Sequence, residues 1–386
     1  MSVPSAMHRL LLRVAGQTPA ALLGTARAWL ADGEVTEVGR ALAFAALARQ
    51  ISLADADARL VAGVLTAAGA PGDLLADLPR SGNDPTPPYT WTPGRPTGPG
   101  PAGRSAPPAA EPHEQVALSD VERTDALAAP GAMSGVHRLD RPAAPGVDPV
   151  DRAAVAALID PDGDAHPVGL WRVWRRPAPA TPYPPAVRVY LAQTRAGAVA
   201  LTARLQAALV AVGEADPLVE VFGHLAGLPA YQRRALDRAV LLWAARPAEP
   251  VRIAATFDLL DASGNPAFGP DRVRLSSTEA NRVAGYLAAG VRLVTSAVRV
   301  PDVIVPERTV PLDLCGDGRW VWSAATAHYL TRYRIAPDEG LLAAIRAAGY
   351  APPDVDAVAV HRSRAALPEV TGTRAGVTRP GGRAAG

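Results

Sequence analysis

Apolar positions between residues 7 and 70 recur at intervals of three and four, the spacing of one buried helix face. Thr18-Pro19 reads as a helix start, with Thr18 as N-cap and Pro19 at the first helical position. Leu22, Leu23, Ala26, Trp29 and Leu30 follow at helical spacing until Asp32-Gly33 stops the run. Val35, Val38, Leu42, Ala45 and Leu47 mark a third helix to about Arg49. Ser52 is expected to cap a fourth, with Asp55 in its first turn and Leu60, Val61, Val64 and Leu65 inward. These predict a small helical bundle over residues 1–78. So short a segment buries only a modest core, which implies that it rests against something else. The helix pairs are similar to helical-repeat scaffolds, but no repeating period is present.

Residues 79–147 read as a disordered linker. Asp84–Pro112 is close to half Pro plus Gly, a composition that cannot bury enough apolar surface to pack. Tyr89 and Trp91 sit among its prolines as incidental aromatics or as a docking motif.

Alternation takes over at residue 148. Val155–Ile159 reads as a strand, Asp160–Asp164 as a turn, and Val168–Trp174 as the returning strand. Val187–Gln193, Leu218–Phe222, Val240–Ala244, Val251–Phe257 and Val291–Ser296 read as further strands. Leu201–Val212 reads as an amphipathic helix, and Ser276–Glu279 as a capping-box start for a helix to about Ala289. The expectation is an α+β fold: the N-terminal bundle, the Pro/Gly-rich linker, and a mixed α/β sheet domain over 148–364. Residues 365–386 read as a disordered tail.

The stretch Val310–Tyr350 closes that domain. An alternating strand reaches Cys315, Gly316-Asp317-Gly318 turns it, Arg319–Trp322 returns, and Ser323 opens two short helices. The pieces ALIDPDGDAHPVGLWRVW and PLDLCGDGRWVWS echo one another as a duplicated hairpin or as two chance Asp-Gly turns.

Composition narrows the function classes. The 386-residue chain carries a formal net charge of +2, and all 39 of its basic residues are Arg. Heavy Ala and Pro with no Lys match a GC-rich genome and imply an actinobacterial source. The absence of Lys excludes a P-loop, Schiff-base chemistry and pyridoxal phosphate anchoring. So small a net charge disfavours nucleic acid as partner. The densest Arg cluster, Arg172, Arg175 and Arg176, reads as solvated strand-end charge. The single Cys rules out an internal disulfide and a Cys-based zinc site. No apolar run approaches the ~20 residues of a membrane span, and no signal peptide is read, which implies a cytoplasmic setting.

Candidate chemistry is sparse. Asp160, Asp162 and Asp164 imitate a calcium loop, but Ala165 and Trp171 stand where it needs Gly and Glu. His224, His328 and His361 lack a second ligand at metal spacing, so neither metal nor cofactor is expected. HExxH and GxSxG are absent, and no GxGxxG follows a strand. Tyr231–Arg234 with Asp237 reads as a surface helix, or secondarily as a partner contact. Trp320 and Trp322 project from one strand face, either into a core or as an interface hot spot. Asp317, Arg319 and His328 complete the candidate binding residues. With Asp313 they are also the set an acid/base enzyme would use.

The run DGRWVWSAATAHYLTRYRIAPDEGLLAAIRAAGY resembles the tail of uncharacterised actinobacterial proteins, in which a DGRWVW strand precedes a YL-containing helix and a second short helix. Some such tails are associated with toxin–immunity and other conflict systems, and no activity attaches to them. The leading expectation is a non-enzymatic, cytoplasmic adaptor- or immunity-like protein that binds a protein partner. The alternatives are a small hydrolase- or transferase-like enzyme using Asp313, Asp317, Arg319 and His328, and an assembly subunit that forms homo-oligomers through its Ala-rich helices.

Overall fold

The computed structural model describes residues 2–70, 78, 80, 89–95, 148–159, 164–178 and 185–367. The fold is α+β, with four N-terminal helices, mixed sheets and later helices. The described chain forms two compact units: residues 2–95, 148–248 and 356–361, and residues 249–355 and 362–367.

The first unit begins with α1 (Val3–Val14), α2 (Ala20–Ala31), α3 (Val35–Leu47) and α4 (Asp55–Ala67). Ser2 caps α1 by accepting from Ser5 N. Thr18 does not cap α2; its hydroxyl donates back to Val14 O at 2.9 Å, closing α1. Ser52 is not the cap of α4, whose N-cap is Ala54; the Ser52 N–H donates to Gln17 instead.

The sheet of this unit comprises β1 (Tyr89–Thr92), β2 (Pro167–Pro177), β3 (Val187–Thr194), β4 (Leu218–Phe222) and β5 (Val240–Ala244). The order is β1-β2-β3-β4, with β5 beside β1 on the same edge of β2. Helix α5 (Pro149–Leu158) precedes β2, α6 (Ala198–Ala211) joins β3 to the parallel β4, and α7 (Ala230–Leu236) leads into β5. Alternation along the strands separates two cores. Trp171, Val173, Val189, Leu191, Leu218 and Phe222 join α1–α4 and α7. Leu170, Tyr190, Ala192, Val219 and Val221 join α5 and α6. The unit is thus a helix–sheet–helix sandwich. The N-terminal helices complete their core on the sheet, as their small size requires.

Several expectations are corrected here. Val155–Ile159 is not a strand: Val155–Leu158 is the end of α5, whose N-cap Asp148 accepts Val150 N at 2.9 Å through its carboxylate, with Pro149 at the first helical position. Asp151, Ala154 and Leu158 form its buried face, and Ala-rich sequence favours the helix. The duplicated-hairpin idea falls with it, because only the second piece is a hairpin. Within the linker, Tyr89–Thr92 is an ordered strand on β2. The Arg cluster is not simply solvated charge, because Arg172 pairs with Asp151 at 2.6 Å and Arg175 donates to Tyr231 Oη at 2.9 Å. Nor is α7 only a surface helix; Tyr231 and Gln232 are buried. The turn at Asp160–Gly163, most of the linker and the tail beyond residue 367 lie outside the described residues.

Strand β4 is an edge strand, yet every residue in it is buried. One of its backbone carbonyls finds a partner on α1. The His8 Nε2–H donates to Val221 O at 2.7 Å. Burial lowers the His8 pKa most; the Val221 bond and Glu220 raise it in part, and Arg27 lowers it again. An unfolded His, near pH 6.5, therefore binds a proton more readily than folded His8. The stabilising contribution is complete above about pH 6.5 and is lost as pH falls below it, by up to about 1.4 kcal/mol per pH unit. Urea unfolding of the wild type and His8→Gln between pH 7 and 5 tests this; the two chains are expected to diverge in slope, and parallel profiles would disprove it.

The second unit holds β6 (Arg252–Ile253), β7 (Leu259–Leu260), β8 (Pro266–Ala267), α8 (Ser277–Ala289), β9 (Val291–Val294), β10 (Arg299–Pro301), β11 (Thr309–Pro311), β12 (Leu314–Gly316), β13 (Trp320–Ser323), α9 (Ala324–Tyr333) and α10 (Glu339–Ala347). Its main sheet runs β6-β13-β12-β9, flanked by the hairpins β7–β8 and β10–β11. Ser276 caps α8 as its sequence requires, accepting Glu279 N at 3.2 Å. A final helix, α11 (Ala357–Ala365), begins in the first unit, where Ala357 N donates to Gln193 at 2.8 Å.

Candidate functional site

The β12–β13 hairpin forms with Leu314 opposite Ser323, Cys315 opposite Trp322 and Gly316 opposite Val321. Gly318 takes the positive φ of 88° that the turn needs. Asp317 is the staple of this turn: Oδ1 accepts Arg319 N at 2.8 Å and Trp320 N at 2.6 Å, and Oδ2 accepts the Tyr286 hydroxyl at 2.7 Å. Burial, then this bond to Asp317, raises the Tyr286 pKa. Ser323 caps α9 through Ala325 N at 3.2 Å, so the strand passes directly into the helix that carries His328.

Trp320 and Trp322 are buried in the core of the second unit. A Cβ on Gly340 would stand 2.8 Å from the Trp320 ring, and one on Gly290 would overlap the Trp322 ring, so both glycines admit close helix approach. The Trp face is therefore packing against α8 and α10 and presents no hot spot. Arg319 is 75% exposed and reaches Glu249 at 3.5 Å. Cys315 is half-buried, and burial raises its thiol pKa, which suits a small apolar side chain rather than a nucleophile.

His328 has a partner that its sequence context did not suggest. Its Nε2 lies 2.9 Å from Oδ2 of Asp302, which also accepts the Tyr333 hydroxyl at 2.7 Å. Asp302 is fully buried, and its Oδ1 accepts Ile304 N at 2.8 Å and Val305 N at 3.4 Å. Burial pushes this carboxyl up, but the His328 bond, the two backbone donors and Tyr333 outweigh it and hold the pKa below the ordinary range. Tyr329 accepts Val303 N at 3.1 Å, and burial is the main reason its pKa rises to about 12. The arrangement ties the loop between β10 and β11 to one side of α9. It can orient an imidazole, yet every partner of Asp302 also fixes that loop.

The sequence-derived residues thus fall into separate groups. Asp317 serves the turn, Arg319 faces solvent, His328 serves the Asp302 loop, and the Trp pair fills the core. Asp313 accepts Ser296 N at 2.8 Å and stands 3.9 Å from Arg292. Among the described residues, the backbone bond from Arg319 N to Asp317 is the one hydrogen bond that links any two of Asp313, Asp317, Arg319 and His328. Among the described residues no three His, Cys, Asp or Glu side chains group as metal ligands, and no helix is long and apolar enough to cross a membrane.

The exposed apolar chemistry lies elsewhere, on α3. Val38, Leu42, Ala45 and Ala46 bury its inner face. Phe44 is 73% exposed and Leu47, three residues on, is 42% exposed. Arg40 and Glu37 pair at 2.5 Å on the preceding turn of the same outer face. A single exposed Leu is ordinary; a largely exposed aromatic ring beside it is not. The sequence offers little signal for this, since Leu47 belongs to the apolar set that marks the helix and Phe44 lies outside that set. No protein-family model, curated protein or solved structure matches this chain.

Proposed function

We propose that this chain is a non-enzymatic protein-interaction module, adaptor- or immunity-like, that engages a protein partner through the outer face of α3. The observation that carries the reading is Phe44, 73% exposed beside Leu47 on a helix whose opposite face is locked into a core. Such a rigid aromatic anchor loses little conformational freedom on binding, and aromatic side chains dominate interface energetics. An acid/base enzyme built on Asp313, Asp317, Arg319 and His328 draws no support, since these groups serve a turn, solvent and two loops. A cytoplasmic setting belongs to the proposal and rests on the single cysteine of the sequence.

Phe44→Glu tests it. The wild-type and variant chains are used to capture proteins from the native host, and a captured partner is then purified and titrated against both. A partner whose affinity falls about 30-fold on substitution is expected, the effect of one hot-spot aromatic. The thermal midpoint should hardly move, because the side chain is on the surface. An unchanged captured set and unchanged affinities would refute the α3 reading.

A further inference from the structure

A second surface, independent of α3, lies on the sheet of the first unit. Strand β1 is four residues long and pairs antiparallel with the end of β2: Tyr89 opposite Pro177, Thr90 opposite Arg176, Trp91 opposite Arg175 and Thr92 opposite Trp174. Pro177 has no N–H, and Pro88 and Pro93 bracket β1 in the sequence, so the ladder cannot lengthen at those positions. Tyr89 and Trp91 point to one side and both pack edge-on against Tyr231 of α7, at ring separations of 6.1 and 5.0 Å. Arg175 stacks 4.4 Å above the Tyr89 ring while donating to the Tyr231 hydroxyl. Thr90 faces solvent, and Thr92 turns the chain away by donating to Gly94 O at 2.9 Å. The contacts are those of a peptide added to a sheet edge: main-chain pairing for affinity and alternate side chains for specificity.

We propose that the Trp174–Pro177 edge of β2, with Arg175 and Tyr231, is a docking groove for an extended partner segment carrying aromatic residues at positions i and i+2, and that Tyr89–Thr92 is its resident, displaceable occupant. Three observations carry this. The occupant comes from a Pro- and Gly-rich stretch with 52 sequence positions between Arg95 and Asp148, so its pairing is not enforced by a tight turn. Both its aromatic side chains remain partly exposed, and the Trp91 indole N–H is buried without an acceptor, so the resident fit is incomplete. The groove side is supported, since Tyr231 is buried and β3 pairs with the other side of β2 as far as Arg175. Attachment in cis raises the effective concentration of the resident strand at the groove. A partner must therefore compete with it, and exchange between copies is disfavoured.

The test uses the full chain with Tyr89→Ala and Trp91→Ala, and a fluorescent peptide of sequence PPYTWTPGR. The peptide is expected to bind the double variant at least tenfold more tightly than the wild type, and Arg175→Ala in that background should abolish binding. A folded double variant that ignores the peptide overturns the proposal. Should the double variant not fold, amide exchange in the wild type decides. The proposal requires Tyr89–Thr92 to open well before the β2–β3 ladder, and concerted exchange refutes it. A wild-type dimer in light scattering that the double variant loses would make a second copy the occupant and overturn the partner assignment.

Discussion

Replacing Glu220 with Gln is expected to lower the unfolding free energy of the first unit by about 3–5 kcal/mol. Glu220 is fully buried in β4, and its Oε2 accepts from Arg27 Nη2 at 2.8 Å and from Gln232 Nε2 at 2.9 Å. Arg27 is itself only 2% exposed. Gln at position 220 would keep the shape and remove the charge. Arg27 would then hold an uncompensated cation in the interior, and the interior screens it poorly. The pair is already incompletely satisfied, because Arg27 Nε and Nη1 and Glu220 Oε1 have no hydrogen-bond partner. For that reason the double change Arg27→Met with Glu220→Leu should be far milder than the single one, within about 1 kcal/mol of the wild type or above it. Urea denaturation followed by circular dichroism, fitted for the first unit, measures both. A single-variant loss below about 1 kcal/mol would show that the pair is not an essential contact. The pair joins α2 to β4, and Gln232 extends it to α1 by donating to Leu12 O at 2.8 Å. It therefore fixes which face of each helix meets the sheet.

Trp322→Ala should cost the second unit about 3–5 kcal/mol, the range for emptying a large aromatic site. Trp322 is 1% exposed, tilted against Tyr286 at 6.2 Å, and covers Gly290 at the end of α8. Its removal opens a void that Ala280, Val283 and Leu287, held on a capped helix, cannot close. The complementary change, Gly290→Ala, forces a methyl into the same ring and should cost about 1–3 kcal/mol. Calorimetry that resolves the second unit reads both. A Trp322→Ala chain that unfolds at the wild-type temperature would mean that the ring is not core, and would return the strand face to the list of binding surfaces.

Much of the secondary structure was legible. Leu218–Phe222 and Val240–Ala244 are strands with the bounds their apolar runs predict. The Ser276 cap, the Gly316–Gly318 turn and the Ser323 helix start follow from local chemistry that a few residues carry by themselves. Val155–Ile159 was misread because a short apolar run has no decisive period. The stronger signal was Asp148-Pro149 ahead of it, a helix cap and first position. Tyr89–Thr92 was hidden by its prolines: composition describes the stretch, whereas one four-residue pairing depends on what it meets.

The buried polar contacts, that of His328 in the candidate site among them, were legible only in parts. A Glu inside the apolar strand LVEVF announces that it needs a buried partner, and Arg27 among Ala and Leu announces the same. Nothing in either segment says that they meet across 193 positions. Asp302 gave still less, being one acid between Pro301 and Val303 in a loop, and His328 looked solitary without it. By itself the sequence determined most helices and strands, the Ser276 and Ser323 caps, the Gly316–Gly318 turn, and the exclusion of lysine chemistry, because propensity, period and residue type act over a few neighbours. Only the tertiary structure decided that the N-terminal helices complete a sandwich, that the Trp pair is core, and that Phe44 is left in water. Those outcomes depend on which faces cover one another, and burial is a property of the packed whole.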